Sequence, residues 1–575
     1  MSKNALERDA TVLRGAELPH VPDIVNVGAC LHRSALATPL LAAVIAPHGR
    51  SGWRSTTYAE LDARVAAIAR ALRDAGLDRG DRAAVLVRPG HDLIAITFAL
   101  LCIGAVPVVV DPGMGARALI RCLARTKPRA FLAIPAAHVL RRVYARELRS
   151  VTVDVVVGPR WFPGTRTLHE LESRHAGTLD PVPTRADDPA AILFTSGSTG
   201  PAKGVLYHHG AFAAQIEALR LLCDIRAGDV DLACFPLFAL FDAAFGATCV
   251  VPRLDPSRPA RCDPASIASA LLEHRCTYSF GSPAIWSRVA QHAANRGTTF
   301  PSLRSVWIAG APVAPTLVAA LCSRVATDGD VHTPYGATEC LPLTSISGAE
   351  LADVRALVES GGGSCVGRAA PGAEIALAPV DDGPFQRWPG ARRRGALGEI
   401  CARGPVVTRA YVDDDRANEL SKIPDGTIGP WHRTGDVGWI DDADRLWIVG
   451  RKTHRIDSAN GVAYPVPTEN VCDLHPRVRR SALVGVGARG AQRAVLVVES
   501  SDDGSRRAIH EAEIAAEIAV WLRDRQCVVG PNEPVDIAAT LFRDDFPVDV
   551  RHNAKIRREI LAEWATTILG KRKSS

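Results

Sequence analysis

Residues 58–110 constrain the fold more than any other stretch. YAELDARVAAIARALRDAG repeats apolar residues at helical spacing and stops at Gly76, a C-cap signal. RAAVLV follows as a short apolar strand. LIAITFALLCIGAVPVVV, residues 93–110, then carries no charge over eighteen residues. That length is the lower edge of a membrane span. Gly104 and Pro107 interrupt it, and turn residues inside an apolar run separate two elements. The reading is a buried helix to Ile103, a turn, and a buried strand over 106–110. Such alternation continues to about residue 345. Strands this apolar are buried on both faces, which implies a mostly parallel sheet covered by helices.

The chain has 575 residues, too many for one core, so two or more domains are expected. From about 346 to 450, glycine and proline are frequent and AEIAL, GEICARG and RLWIVG read as short strands of a small β subdomain. After Arg451, RSALVGVG and RAVLVVES read as strands, and EAEIAAEIAVWLRDRQC and KIRREILAEWATTIL as helices of a small α/β unit. The net charge of +6 is small, and basic residues are read as interspersed with acidic ones, so nucleic acid is not expected as a partner. Only Lys571, Arg572 and Lys573 cluster, which suits a solvated, frayed end. Fourteen cysteines without a C-x-x-C suggest reduced thiols in a cytoplasm rather than zinc or disulfides. The charged N-terminus has no apolar core and does not read as a signal peptide.

AILFTSGSTGPAKGVLYHHG, residues 191–210, empties an apolar strand into a run of hydroxyls and glycines that ends at one lysine. Backbone N–H groups in such a run can converge on an anion, with hydroxyls adding donors. It is not a Walker A loop, because Gly204 follows Lys203, nor is it G-x-G-x-x-G. Alone it reads equally as a phosphate cradle or a flexible surface loop. Further on, Tyr335-Gly336-Ala337-Thr338-Glu339 offers an aromatic, a glycine, a hydroxyl and a carboxylate in five residues. Those groups could stack a base, approach a phosphate and hold Mg²⁺. WHRTGDVGWIDDADRLWIVGR puts Asp436 on a glycine turn and Arg451 after a strand, and Lys555 precedes an amphipathic helix.

In this order and spacing, over roughly residues 25–565, the segments resemble the adenylate-forming superfamily of acyl-CoA synthetases, adenylation domains and luciferases. The resemblance implies an α/β fold. A large N-terminal domain (1–450) of mostly parallel helix-flanked sheets with a small β subdomain binds ATP and acyl substrate. A small mobile α+β lid (451–575) carries the adenylation lysine on a hinge near 454. It also implies roles. Thr195, Ser196, Gly197, Ser198, Thr199, Gly200 and Lys203 would hold the ATP phosphates, and Gly310-Ala311-Pro312, Tyr335 and Gly336 the adenine side. Thr338 would touch the α-phosphate, Glu339 bind Mg²⁺, Asp436 and Arg451 hold the ribose, and Lys555 stabilise the attack on phosphorus. Thr338, Glu339, Lys203 and Lys555 would then be the catalytic set.

Four departures narrow the resemblance. Pro201-Ala202-Lys203 replaces a direct Pro-Lys, FPLFALFDAAFG (235–246) lacks a usual histidine, His454 stands where aspartate is usual, and DSANGVAYPVPTEN departs in glycine spacing. FPLFALFD, HTPYGATEC, GRKTHRI and VRHNAKI are similar to the β-lactone synthetases of bacterial long-chain olefin biosynthesis. That branch adenylates a 2-alkyl-3-hydroxy fatty acid with ATP and lets the 3-hydroxyl close the lactone, releasing AMP and diphosphate. No CoA is then needed, because the nucleophile is tethered. It implies a long-chain 3-hydroxy acid as substrate and assembly with the condensing, reducing and decarboxylating enzymes of the pathway. The alternatives are a long-chain fatty acyl-CoA ligase and a non-catalytic nucleotide binder. His454 reads as a hinge residue rather than a base. The His208-His209 pair reads as polar residues at the surface rather than a metal site, because adjacent residues point apart. Asp242 either steers the 3-hydroxyl or caps a helix. Phe235, Phe238, Phe241 and Phe245 either line an acyl channel or fill core.

Overall fold

The computed structural model describes residues 11–175, 177–195, 202–426, 429–501, 504–548 and 555–574. They form an eight-stranded, a fifteen-stranded and a three-stranded sheet, with a two-stranded ribbon between the second and third along the chain. The opening stretch folds as its pattern requires. The helix Tyr58–Asp74 begins at a capping box, with Glu60 N donating to Thr57 Oγ1 at 3.3 Å and Thr57 N donating to Glu60 Oε2 at 2.8 Å. It ends before Gly76, whose φ of 90° suits glycine. The helix His91–Cys102 is buried from Leu93 onward, and the strand Val106–Val109 returns parallel to Arg82–Leu86. Among the described residues no helix is long and apolar enough to cross a membrane.

In the eight-stranded sheet, six strands from Pro189–Phe194 to Arg166–Thr167 run parallel. The edge turns antiparallel at Gly204–His208 and Ala410–Tyr411. The fifteen-stranded sheet has two halves. Strands from Ala42–His48 to Asp330–Ala337 pair parallel, and from Asp330–Ala337 onward every pairing is antiparallel. The β-rich stretch read in the sequence therefore continues the ladder of the parallel sheet, with Thr344 opposite Ala369 and Cys365 opposite Trp447.

Two local expectations need correcting. Asp436 lies inside the ten-residue strand Trp431–Ile440, not on a turn. Gly435, at φ 77°, bends that strand without ending it. The helix Arg558–Ser574 also runs through the basic tail, so the end is helical rather than frayed.

The last sheet pairs Val478–Val486 antiparallel to Arg493–Ser500, which pairs parallel to Ile537–Phe542. Alternate residues face opposite cores. Leu483 and Leu496 pack with Ile514 and Ile518 of the helix Gly504–Arg525, while Val484 and Val495 pack with Leu561 and Ala565 of the helix Arg558–Ser574. All fourteen cysteines are free thiols, most of them buried.

Candidate active site

Strands Pro189–Phe194 and Gly204–His208, which flank the glycine-hydroxyl run in sequence, pair antiparallel. The base of the run is fixed on both sides. Thr195 N donates to the Lys203 carbonyl at 3.0 Å, and Lys203 N donates to Thr195 Oγ1 at 3.3 Å. Ser196, Gly197, Ser198, Thr199 and Gly200 lie outside the described residues.

Thr338 and Glu339 form the two-residue turn between strands Asp330–Ala337 and Cys340–Ser347. The ladder shifts register at Gly336. A Cβ there would meet the Cys340 carbonyl at 2.7 Å, which explains the glycine. The turn is held from outside. Thr408 donates to the Glu339 carbonyl through N (2.8 Å) and Oγ1 (3.0 Å), and the Tyr207 hydroxyl donates to the Thr338 carbonyl. The Tyr411 hydroxyl donates to Glu339 Oε1 at 2.5 Å.

Lys203 Nζ lies 4.9 Å from the centre of the Tyr411 ring, within cation–π range. Lys422 Nζ lies 5.8 Å from the same ring and donates to the Thr408 carbonyl. Burial pushes the Lys422 ammonium down to about 8, against the attraction of Glu339. Sequence reasoning missed Tyr207, Tyr411 and Lys422. Tyr411 and Lys422 are lone residues in ordinary stretches and Tyr207 follows the glycine-hydroxyl run without a motif of its own; each role exists only across strands distant in sequence.

Asp436 and Arg451 are cross-strand partners. Arg451 Nε sits 3.1 Å from Asp436 Oδ1, and the Tyr335 hydroxyl donates to Asp436 Oδ2 at 2.8 Å. Burial beside that carboxylate holds the Tyr335 phenol well above its usual range. One cavity of about 3100 Å³ is lined by Pro312, Tyr335, Thr338, Asp436, Arg451 and Lys555. Gly310, Ala311 and Gly336 face it as well. Lys203 and Glu339 stand just behind this wall, joined through Tyr411. All the expected residues that are described thus converge on one region.

Phe235, Phe238 and Phe241 line the same cavity, whereas Phe245 packs into the core. Phe238 stacks on Phe280 at 3.5 Å. His454 also faces the cavity. Burial, with Arg558 and Arg451 beside it, pushes its imidazole down to about 3. A group that weakly basic is a poor proton acceptor at neutral pH.

Two further readings are overturned. His209 is fully buried, its Nδ1 accepts from Val27 N at 3.2 Å, and burial pushes it down to about 4. It is a neutral core acceptor, not an exposed polar group. Asp242 sits within the helix Ala239–Phe245, buried, so it does not cap the helix and its side chain does not line the cavity. Its Oδ1 accepts from Tyr278 at 2.7 Å, and burial pushes its carboxyl above the usual carboxylate range.

Among the described residues no cluster of three or more His, Cys, Asp or Glu could hold a metal. Glu339 fits a different kind of site. One carboxylate oxygen is oriented by Tyr411, and the other takes no hydrogen bond from the described residues. Mg²⁺ is commonly held by one or two carboxylates, with substrate phosphates and water completing the shell.

The family described as "AMP-binding enzyme" matches residues 31–412. The chain is 43% identical over 557 residues to an olefin β-lactone synthetase of Xanthomonas campestris, covering 94% of this chain and 98% of that one. It is 43% identical over 526 residues to an olefin β-lactone synthetase of Stenotrophomonas maltophilia, covering 90% and 92%. Among solved structures, the anthranilate CoA ligase AuaEII in complex with anthranoyl-AMP superposes with a TM-score of 0.78, at 18% identity over 96% of this chain and 99% of that one. The amide bond synthetase McbA from Marinactinospora thermotolerans gives 0.75 at 24% identity, over 93% and 99%. The chain belongs to the AMP-binding enzyme family, on the adenylate-forming fold that it shares with the olefin β-lactone synthetases.

Proposed function

We propose that this protein activates a long-chain 2-alkyl-3-hydroxy acid with ATP and closes it to a β-lactone, releasing AMP and diphosphate. One observation carries the reading. The lysine expected to promote adenylation, the Asp436–Arg451–Tyr335 cluster and the phenylalanine wall all line a single cavity. A nucleotide and an apolar acid can therefore meet there.

The substrate carboxylate attacks the α-phosphorus, and the bond to diphosphate breaks. Two anions approach each other, so the Lys555 ammonium lowers the barrier by meeting the charge that develops. Lys203 and the loop over 195–203 hold the phosphates. Asp436, with Arg451 fixing it, accepts from the ribose hydroxyls, and Tyr335 with Gly310-Ala311-Pro312 borders the base. Glu339 holds Mg²⁺, which when bound neutralises phosphate charge. In the second step the 3-hydroxyl oxygen attacks the acyl carbon, and the bond from that carbon to the AMP oxygen breaks. The hydroxyl proton passes to the departing phosphate, a stronger base than His454. Tethering replaces an external nucleophile.

The chain is proposed to divide near 450, with residues 451–575 turning about a hinge near 454. The single turn Lys452–His454, between the strand Leu446–Arg451 and the last sheet, suits that hinge. The pathway partners follow from the β-lactone reading alone. A substrate whose 3-hydroxyl is methylated tests the second step. Acyl-AMP should accumulate without lactone, whereas full turnover of the methylated acid would refute ring closure by that hydroxyl.

A further inference from the structure

Residues 116–166 contain eleven Lys and Arg against two Asp and Glu. That excess is larger than the net +6 of the whole chain, so the remainder is slightly acidic. The basic residues are thus concentrated here rather than evenly interspersed with acidic ones.

The fold brings the two helices of this segment onto one side of a sheet. The helices Ala116–Thr126 and Pro135–Val143 bury Leu119, Ile120, Leu123 and Ala137 in one core, against the same face of the eight-stranded sheet. Their outer sides are exposed and carry Arg117, Arg121, Val139, Arg142 and Val143. Val143 is 69% exposed and Val139 42%. The Arg142 guanidinium lies 4.0 Å over the Phe162 ring, which seats the next loop beside the second helix. In that loop Trp161 is 57% exposed. Arg117, Arg146 and Arg149 are exposed and enter no ion pair among the described residues. The surface also meets the active-site cavity, because Met114, Arg121, Ala136, Leu140 and Trp161 line it too.

We propose that this face docks on an anionic lipid bilayer. Unpaired arginines meet anionic headgroups, while Trp161, Val139 and Val143 enter the interfacial layer. A polyanion such as DNA would use the arginines but gains nothing from exposed valines beside a tryptophan. The continuity with the cavity adds a consequence that rests on the function proposed above. A long-chain acid would reach the site from the membrane without crossing water.

The test is sedimentation of the full chain with vesicles of phosphatidylglycerol and phosphatidylcholine, or of phosphatidylcholine alone, at low and high salt. Binding is expected only with phosphatidylglycerol, and it should weaken as salt rises. Each basic residue near such a surface contributes about fivefold in partitioning. The triple variant R117E/R146E/R149E should therefore lose binding on the order of a hundredfold. V139S/V143S should lose roughly tenfold. Neither variant should alter AMP release from a short, water-soluble 3-hydroxy acid. No binding to either vesicle, equal binding to both, undiminished binding by both variants, or binding of duplex DNA in place of vesicles would overturn the proposal. If that short acid is not turned over at all, the function proposed above fails while vesicle binding still reports on this surface.

Discussion

Glu339 is held at its carbonyl by Thr408 and at its carboxylate by Tyr411, and Lys422 stands behind both. On the function proposed above, that arrangement would make Lys422 a positioning residue for the phosphate side of the site. Replacing it with Met should raise the KM for MgATP about tenfold with a smaller change in kcat, while Arg should restore part of the loss. The pH dependence has a definite sign. Lys422 titrates near 8 in the fold, below a free lysine, so the charged form is lost as pH rises through about 8. KM for MgATP should climb across that range in the parent and stay flatter in Lys422→Met. The same shift means the unfolded chain binds more protons between those values, so this residue makes stability rise with pH there. Lys555→Ala should leave ATP binding intact and slow acyl-AMP formation by about 10²–10³-fold; unchanged adenylation would remove Lys555 from the chemistry. Residues such as Tyr335, Asp436 and Lys555 were legible because each belongs to a short motif. Tyr411 and Lys422 were not, because cross-strand neighbours leave no local signature.

At the scale of elements, the segment after Arg451 is anchored ionically. Arg433 donates to Glu399 Oε2 through Nε (2.9 Å) and Nη2 (2.6 Å), and Lys452 Nζ sits 3.0 Å from Glu399 Oε1. Glu399 is fully buried. Glu399→Ala would strand the buried Arg433 guanidinium and leave the partly exposed Lys452 without its carboxylate, a loss of about 3–5 kcal/mol. A urea midpoint unchanged from the parent would contradict that. Three residues beyond Lys452, Arg455 shares Asp382 with Arg489, and the two guanidiniums hold its carboxyl well below the usual range. The helix Tyr58–Asp74 could be read in advance because its cap and periodicity are local. The strand Trp431–Ile440 could not, since glycine in T-G-D signals a turn until partners on both sides extend the ladder through it. Asp242 was misplaced for a related reason. Its burial follows from Tyr278 and Asp231, which approach only in the folded sheet.

For the whole molecule, alternating helices and apolar strands announced helix-covered parallel sheets, and the fold has them. The join between the parallel and antiparallel halves of the fifteen-stranded sheet was not legible, because strand order depends on long-range pairing. On the roles proposed above that join would matter to function, since Tyr335, Thr338 and Glu339 come from it while Asp436 and Arg451 come from the antiparallel half. The central claim is that one cavity makes an acid electrophilic with ATP and lets the acid's own hydroxyl displace AMP. The most direct measurement incubates the protein with ATP, Mg²⁺ and a 2-alkyl-3-hydroxy acid, with CoA omitted, and follows AMP and product by mass spectrometry. AMP and β-lactone should appear in equal amounts; recovery of unchanged acid, or AMP release only when CoA is added and a thioester forms, would contradict the account.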